Sequence, residues 1–147
     1  MKILIATDGS DFSTAAIEKA CELVRLDGAE IMCFSAYEAP LPVTIDPSFI
    51  SPEYVQNVAD VLRQTAEEHV KDAEEQIRKH FSAEQVKVTT VVENGTADRS
   101  IVAKAAEWKA DVIVVGSHGG GFWGRLLGSV SNGVVHHAPC SVLVVRK

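Results

Sequence analysis

The residues best suited to chemistry lie in a glycine-rich stretch near the carboxyl end of the chain. Residues 116 to 128 contain six glycines, and Ser129 and Ser131 follow at once. Glycine loses more conformational freedom on folding than other residues, so this concentration needs a reason. Backbone N–H groups without neighbouring Cβ atoms can surround phosphate oxygens, and a helix N-terminus and serine hydroxyls add donors. The stretch predicts a phosphate-binding loop, since a tight turn explains only one or two glycines.

The spacing of these glycines argues against two common phosphate loops. The P-loop pattern G-x-x-x-x-G-K-[ST] is absent, because no lysine follows any of the glycines. Gly119, Gly121 and Gly124 do spell G-x-G-x-x-G, but a dinucleotide-binding fingerprint opens the first βαβ unit and precedes an acidic residue by about 20 positions. Here the pattern follows a predicted strand over residues 112–115, the fourth in the chain, and no acidic residue lies beyond Asp111. Dinucleotide binding of the Rossmann kind is therefore disfavoured.

Charge is unevenly distributed along the chain. The net charge is −6, yet residues 112 to 147 contain only Arg125, Arg146 and Lys147 as charged groups, so this tail carries +3 and the rest −9. An acid-free tail tolerates a bound anion. Nucleic-acid binding normally needs a basic surface, so the net negative charge argues against it.

The elements that must position the loop are short apolar strands alternating with amphipathic helices. Ser10 and Ser51 are suitable N-caps, and Pro52 suits a first helical position. The pattern predicts strands over residues 2–7, 29–37, 86–92, 112–115 and 141–145, with helices over about 10–26, 51–81, 96–108 and 126–136. The order βαβαβαβαβ predicts one α/β domain over residues 1–147, a doubly wound, five-stranded parallel sheet of Rossmann-like form.

Two segments of this framework carry specific expectations. The second helix has an apolar stripe that we expect to face the core, made of Val58, Leu62, Ala66, Val70, Ala73, Ile77 and Phe81. Residues 38–51 contain three prolines and no periodicity, which predicts a loop longer than compact domains usually carry without a function.

Ligands of open α/β sheets bind beyond the carboxyl ends of the strands, near the point where strand order reverses. Three segments qualify by position, namely 7–10, 36–38 and the glycine-rich stretch. The carboxylate of Asp8 repels phosphate but accepts hydrogen bonds from ribose or adenine, although a cap or turn role is equally usual for such a residue. His118 suits a phosphate contact or an exposed turn. Arg125 either neutralises phosphate or faces solvent.

Four segments, which are distributed over the whole chain, together resemble the universal stress protein family. They are the first strand ending in residues 7–10, residues 110–119, residues 127–131 and residues 137–145. The chain looks like the ATP-binding branch, whose motif is G-x-x-G, nine residues, then G-[ST]. Gly116, Gly119, Gly128 and Ser129 match this motif, except that eight residues separate Gly119 from Gly128.

The resemblance implies an adenine-nucleotide site that takes ATP, with or without Mg²⁺. It implies that Asp8 and the backbone at Ala36 lie by the adenosine, and Thr7 and Val115 are expected among the binding residues. Ribose and phosphates would be held by Gly116, His118, Gly119, Gly128, Ser129, Val130 and Ser131. The resemblance also implies a homodimer joined through the last strand, whose edge position would leave backbone groups unpaired.

The resulting functional prediction is a nucleotide-dependent switch or stress-response accessory protein. One alternative is a homodimeric interaction module of the same family that does not bind nucleotide, and another is a slow ATPase or phosphotransferase. No residue is predicted to be catalytic, because the sequence supplies no positioned base with a metal carboxylate near the phosphate end.

Three further expectations follow from composition. Cys21, Cys33 and Cys140 lack C-x-x-C spacing, which predicts buried free thiols rather than disulfides or a metal site, and His136 and His137 have no further ligands nearby. No apolar run approaches the ~18 residues that a membrane span needs. The opening apolar run is too short for a signal peptide, so we expect a cytoplasmic protein without membrane contact.

Overall fold

The computed structural model describes residues 1–23, 28–40, 51–118 and 127–147. Five strands and four helices alternate in the predicted order. The strands are β1 (Lys2–Ala6), β2 (Glu30–Tyr37), β3 (Lys87–Asn94), β4 (Val112–Gly116) and β5 (Ser141–Val145). The helices are α1 (Asp11–Leu23), α2 (Pro52–Arg78), α3 (Ala97–Trp108) and α4 (Ser129–His137).

The strands form one parallel sheet in the order β3-β2-β1-β4-β5. In the register of β1, Ile5 lies between Cys33 of β2 and Val114 of β4. The chain moves outward from β1 to β3 and then crosses back to β4, so the strand order reverses between β1 and β4. This arrangement confirms the predicted doubly wound sheet and places its switch point at the carboxyl ends of these two strands.

Both faces of the sheet are covered, which explains why the central strands are continuous apolar runs. On one face Ile3 and Ile5 pack with α1 and α2, through residues such as Ile17, Val70 and Ile77. On the other face Leu4 packs with α3 and α4 in a cluster that includes Phe34, Ile101, Ile113 and Val134. The sheet therefore has a separate apolar cluster under each helical layer.

Helix α2 begins as predicted, but its apolar stripe is buried only in part. The Ser51 hydroxyl caps the helix by accepting from the N–H of Tyr54 at 3.2 Å, and Pro52 follows it. Ala66, Val70, Ala73 and Ile77 are buried, whereas Val58 and Phe81 are half-buried. The prediction that Leu62 faces the core is wrong, because its side chain is exposed. A helix of 27 residues is ~40 Å long, and the longest strands, of eight residues, span only ~26 Å. The strands therefore cannot cover the whole length of α2.

Some other predictions need adjustment or fall outside the described residues. Helix α4 begins at Ser129, because Leu127 and Gly128 are not helical. Residues 41–50 of the predicted long loop are outside the described part of the chain. All three cysteines are free, but only Cys33 is buried, while Cys21 and Cys140 are half-buried. Burial raises the pKa of Cys33 to about 12 and that of Cys21 to about 11. Within the four described ranges, no helix is both long and apolar enough to cross a bilayer.

Candidate functional site

The predicted site residues converge on the carboxyl edge of the sheet. Thr7 and Asp8 follow β1 directly, Ala36 is the penultimate residue of β2, and Val115 and Gly116 end β4. Because β1 lies between β2 and β4, these strand ends are neighbours. Gly119 and Arg125 lie outside the described residues. The backbone of the sheet thus brings the two predicted ends of the site, for nucleoside and for phosphate, to one edge.

The turn after β1 is held by a local chain of hydroxyl groups. The Thr7 N–H donates to the carbonyl of Phe34 at 2.9 Å and continues the pairing with β2. The Thr7 hydroxyl donates to the Ser13 hydroxyl at 3.1 Å, which in turn donates to the Ser10 carbonyl at 2.9 Å. The N–H of Gly9 donates back to Thr7 Oγ1 at 3.2 Å. These bonds fix the exit from β1 and use the hydroxyl of Thr7 within the protein.

Asp8 is the exposed polar residue of this turn. Its Oδ1 accepts from the N–H of Ser10 at 3.1 Å, so the carboxylate does form the local turn contact that its position suggested. The side chain is also open to solvent, at the level of the switch point. A carboxylate held in this way retains lone pairs that accept hydrogen bonds from a hydroxyl or amino group.

Gly116 allows α1 to approach the end of β4. A Cβ atom at this position would lie 2.9 Å from both the carbonyl carbon and the carbonyl oxygen of Phe12. The ring of Phe12 also lies beside His118, with the ring centroids 5.4 Å apart. Nδ1 of His118 is 3.0 Å from the hydroxyl of Ser117. The absence of a side chain at Gly116 therefore serves packing, and His118 is anchored over the start of α1.

The N-terminus of α4 is tied to the end of β4 through Ser117. The N–H of Gly128 donates to the Ser117 carbonyl at 2.8 Å. The buried hydroxyl of Ser131 lies 2.9 Å from the same carbonyl and 3.0 Å from that of Gly128. Sequence reasoning regarded this hydroxyl as a phosphate donor, and the structure shows it engaged with the backbone.

The first turn of α4 nevertheless remains suited to an anion. Ser129 and Val130 are exposed, and this turn contains no acidic residue. The first N–H groups of a helix have no acceptor within it, and the helix dipole places partial positive charge at that end. Val115 is buried and Ala36 is half-buried, so each would meet a ligand mainly through its backbone.

Sequence reasoning missed His69, which lies against the turn after β1. Gly9 has φ of +72°, and a Cβ atom there would overlap Cδ2 and Nε2 of the His69 ring. His69 is a half-buried residue of α2, immediately before the buried Val70. The available signal was a histidine beside the apolar stripe, but the sequence does not indicate which turn it meets.

The chain resembles known proteins over nearly its whole length. The model of the universal stress protein family matches residues 1–146. A universal stress protein of Synechocystis is 31% identical over 153 residues, covering 99% of this chain and 97% of the relative. The solved structure of UspA from Lactobacillus plantarum has a TM-score of 0.76 and 26% identity, covering 99% of this chain and 97% of its own.

Some structures of the same fold were solved with nucleotides. A universal stress protein in complex with cAMP has a TM-score of 0.60 and 25% identity, covering 99% of this chain and 95% of its own. Two more distant proteins share the fold, one from Arabidopsis thaliana with AMP bound and one from Archaeoglobus fulgidus in complex with dAMP. The family match spans nearly all of the sequence, and the five-stranded sheet is the fold of these neighbours. This chain belongs to the universal stress protein family.

Proposed function

We propose that residues 1–147 form one universal stress protein domain that binds ATP at the carboxyl ends of β1, β2 and β4. In this proposal the bound nucleotide sets the state of a switch or stress-response accessory protein in the cytoplasm. The observation that carries the proposal is the exposed, acid-free N-terminus of α4, which Gly128 and Ser131 hold beside the end of β4. Such a helix end is an anion-binding site in proteins.

The charges at the edge set the orientation of the nucleotide. The carboxylate of Asp8 would repel phosphate. The nucleoside end of the nucleotide therefore lies at Asp8, together with Thr7 and the backbone of Ala36. The phosphates and ribose then face the β4–α4 junction, through Val115, Gly116, His118, Gly119, Gly128, Ser129, Val130 and Ser131. Because the Ser131 hydroxyl is engaged, we assign its backbone N–H to the ligand and the exposed hydroxyl of Ser129 as a further donor.

Support for an adenine nucleotide comes from relatives as well as from geometry. Neighbours of the same fold were solved with cAMP, AMP and dAMP, which share an adenine base and a sugar phosphate. We propose ATP because Gly116, Gly119, Gly128 and Ser129 match the motif of the ATP-binding branch of the family, apart from one residue of spacing. The described residues contain no group of three metal-ligating side chains. Mg²⁺ arriving with ATP would take most of its ligands from phosphate oxygens and water, as Mg²⁺ usually does in phosphate sites.

We further propose that the protein is a homodimer, joined by antiparallel pairing of β5 about a two-fold axis. β5 lies at one edge of the sheet, and among the described strands it pairs only with β4. Its three central residues, Val142 to Val144, are half-buried in the single chain. Pairing would satisfy the backbone groups of the edge and cover these side chains. We expect no nucleic-acid partner.

The decisive test is Ser129→Asp, which changes stability and binding in opposite directions. An acidic residue in the first turn of a helix favours the helix dipole, so we expect the free energy of unfolding to rise by about 0.3 to 1 kcal/mol. The same charge repels phosphate, so ATP affinity should fall at least about tenfold, the equivalent of ~1.4 kcal/mol. Titration calorimetry and urea unfolding measure the two quantities.

The matched control is Ser82→Asp, which adds the same charge at an exposed serine between α2 and β3. This serine lies near the amino end of β3, away from the carboxyl ends of the strands. The substitution should leave ATP affinity unchanged. Light scattering should give the mass of a dimer of the 15.8 kDa chain for the native protein and both variants. Native protein that carries no nucleotide after purification and releases no heat with ~1 mM ATP, a weak-binding concentration, would overturn the proposal.

A further inference from the structure

His69 connects α2 to the turn that carries Asp8. The ring of His69 touches the backbone of Gly9 so closely that a Cβ atom on Gly9 would overlap Cδ2 and Nε2 and lie 3.0 Å from Cγ. Gly9 lies between Asp8 and Ser10, which are joined by the hydrogen bond from the Ser10 N–H to the carboxylate. The ring therefore contacts the middle residue of the segment that orients the Asp8 carboxylate.

The same contact marks the level at which α2 passes the carboxyl edge of the sheet. α2 follows β2 and ends before β3, so it runs antiparallel to the strands, and Gly9 lies just beyond β1. Residues of α2 that precede Ala66 consequently extend past the edge, whereas Ala66 is buried and Glu67 lies beside Thr90 and Val92 of β3. This segment, residues 52–65, is ~21 Å long at 1.5 Å per residue. It exposes Tyr54, Val61 and Leu62 and leaves Val55, Val58 and Ala59 half-buried, and fully buried residues begin at Ala66 and Val70.

Two contacts of α2 with α1 lie further along the helix, away from this edge. Gln76 donates from Nε2 to the carbonyl of Thr14 at 3.2 Å, one turn into α1. Ala73 and Ile77 are buried in the cluster that also contains Ile17. His69 thus contacts the turn at the proposed nucleotide site directly, while these two contacts hold α1 and α2 together over the sheet.

We propose that His69 is a positioning residue through which occupancy of the nucleotide site is communicated to the projecting half of α2. The inference rests on the proposed nucleotide binding. Asp8 and Gly9 are exposed, so a ligand held at Asp8 restricts a turn that is otherwise open to solvent. The ring passes this restriction to α2 by direct contact. Coupling between two parts of a protein is reciprocal. If bound nucleotide orders α2 through the ring, an α2 that is held in place by the ring in turn strengthens nucleotide binding.

Hydrogen exchange read by mass spectrometry, with and without ATP, tests both directions of the coupling. In the native protein ATP should slow exchange in residues 7–10 and also in residues 52–69. In His69→Ala the protection of the turn should remain and the protection of α2 should disappear. ATP affinity should fall about fivefold or more, at the lower end of typical coupling energies. His80→Ala is the control, because His80 is an exposed histidine just after α2.

His69→Phe separates the contact from general packing of the helix. Phenylalanine keeps a flat ring against Gly9, so this variant should restore native ATP affinity and the protection of α2. Thermal unfolding without ATP shows whether each variant is folded. If native, Ala and Phe proteins bind ATP equally and protect α2 equally, His69 has no coupling role and nucleotide binding stands. If the native protein does not bind ATP, the proposed function itself fails, and the coupling fails with it.

Discussion

The two strand-to-helix junctions at the switch point are built in different ways. The β1–α1 junction, residues 7–10, is short, and its hydroxyl chain links residues at most six positions apart. The β4–α4 junction spans residues 117–128, and the hydroxyl of Ser131 reaches back 14 positions to the carbonyl of Ser117. The short junction is held by hydrogen bonds between its own neighbouring residues, and it exposes one carboxylate, that of Asp8. In the described part of the long junction, hydrogen bonds from Gly128 and Ser131 to the Ser117 carbonyl tie α4 to β4, and the first turn of the helix stays open to an anion.

Gly116→Ala should have the largest effect, because it disturbs both junctions together. The new Cβ would lie 2.9 Å from the Phe12 backbone, so α1 must shift away from the end of β4. Overpacking of this kind costs about 1 to 3 kcal/mol, which urea unfolding would measure. ATP affinity should fall as well. Phe12→Ala should not rescue the variant, because the atoms in conflict belong to the main chain, and a rescue would contradict this explanation.

Gly9 is the opposite case, within the short junction. There the conflicting atoms belong to the His69 side chain, so His69→Ala relieves the overlap in Gly9→Ala but leaves the strain of a positive φ. Two neighbouring glycine requirements at one edge therefore have different physical origins. One reflects the approach of two backbones, and the other reflects a single ring.

Ser131→Ala should have an intermediate effect that is specific to the long junction. It removes a buried hydroxyl that bridges the carbonyls of Ser117 and Gly128, and such a hydrogen bond contributes about 0.5 to 1.5 kcal/mol. Ser129→Ala, at an exposed position of the same helix turn, should change the free energy of unfolding by less than about 0.5 kcal/mol. Equal losses of stability in the two variants would show that Ser131 does not anchor α4.

Sequence patterns predicted the element order and the doubly wound sheet because both depend on local periodicity and turn residues. The same periodicity was wrong at Leu62, because an apolar stripe shows which face of α2 could be buried, not which of its residues have a neighbour to pack against. The reason for glycine at position 116 and the contact between His69 and Gly9 join residues far apart in sequence. Such packing depends on the assembled fold, and a single sequence carries no local sign of it.

Asp8→Asn should have the smallest effect on stability and isolates the chemistry of the short junction. The amide oxygen of asparagine can still accept from the Ser10 N–H, so the turn persists and the free energy of unfolding should change by less than about 0.5 kcal/mol. The substitution removes a charged acceptor from the nucleoside end, and hydrogen bonds to charged groups are roughly twice as strong as neutral ones. Calorimetry should therefore show ATP affinity a few-fold weaker. Unchanged or tighter binding would mean that Asp8 contributes only its turn, and the nucleoside contact would then have to come from the backbone of β2.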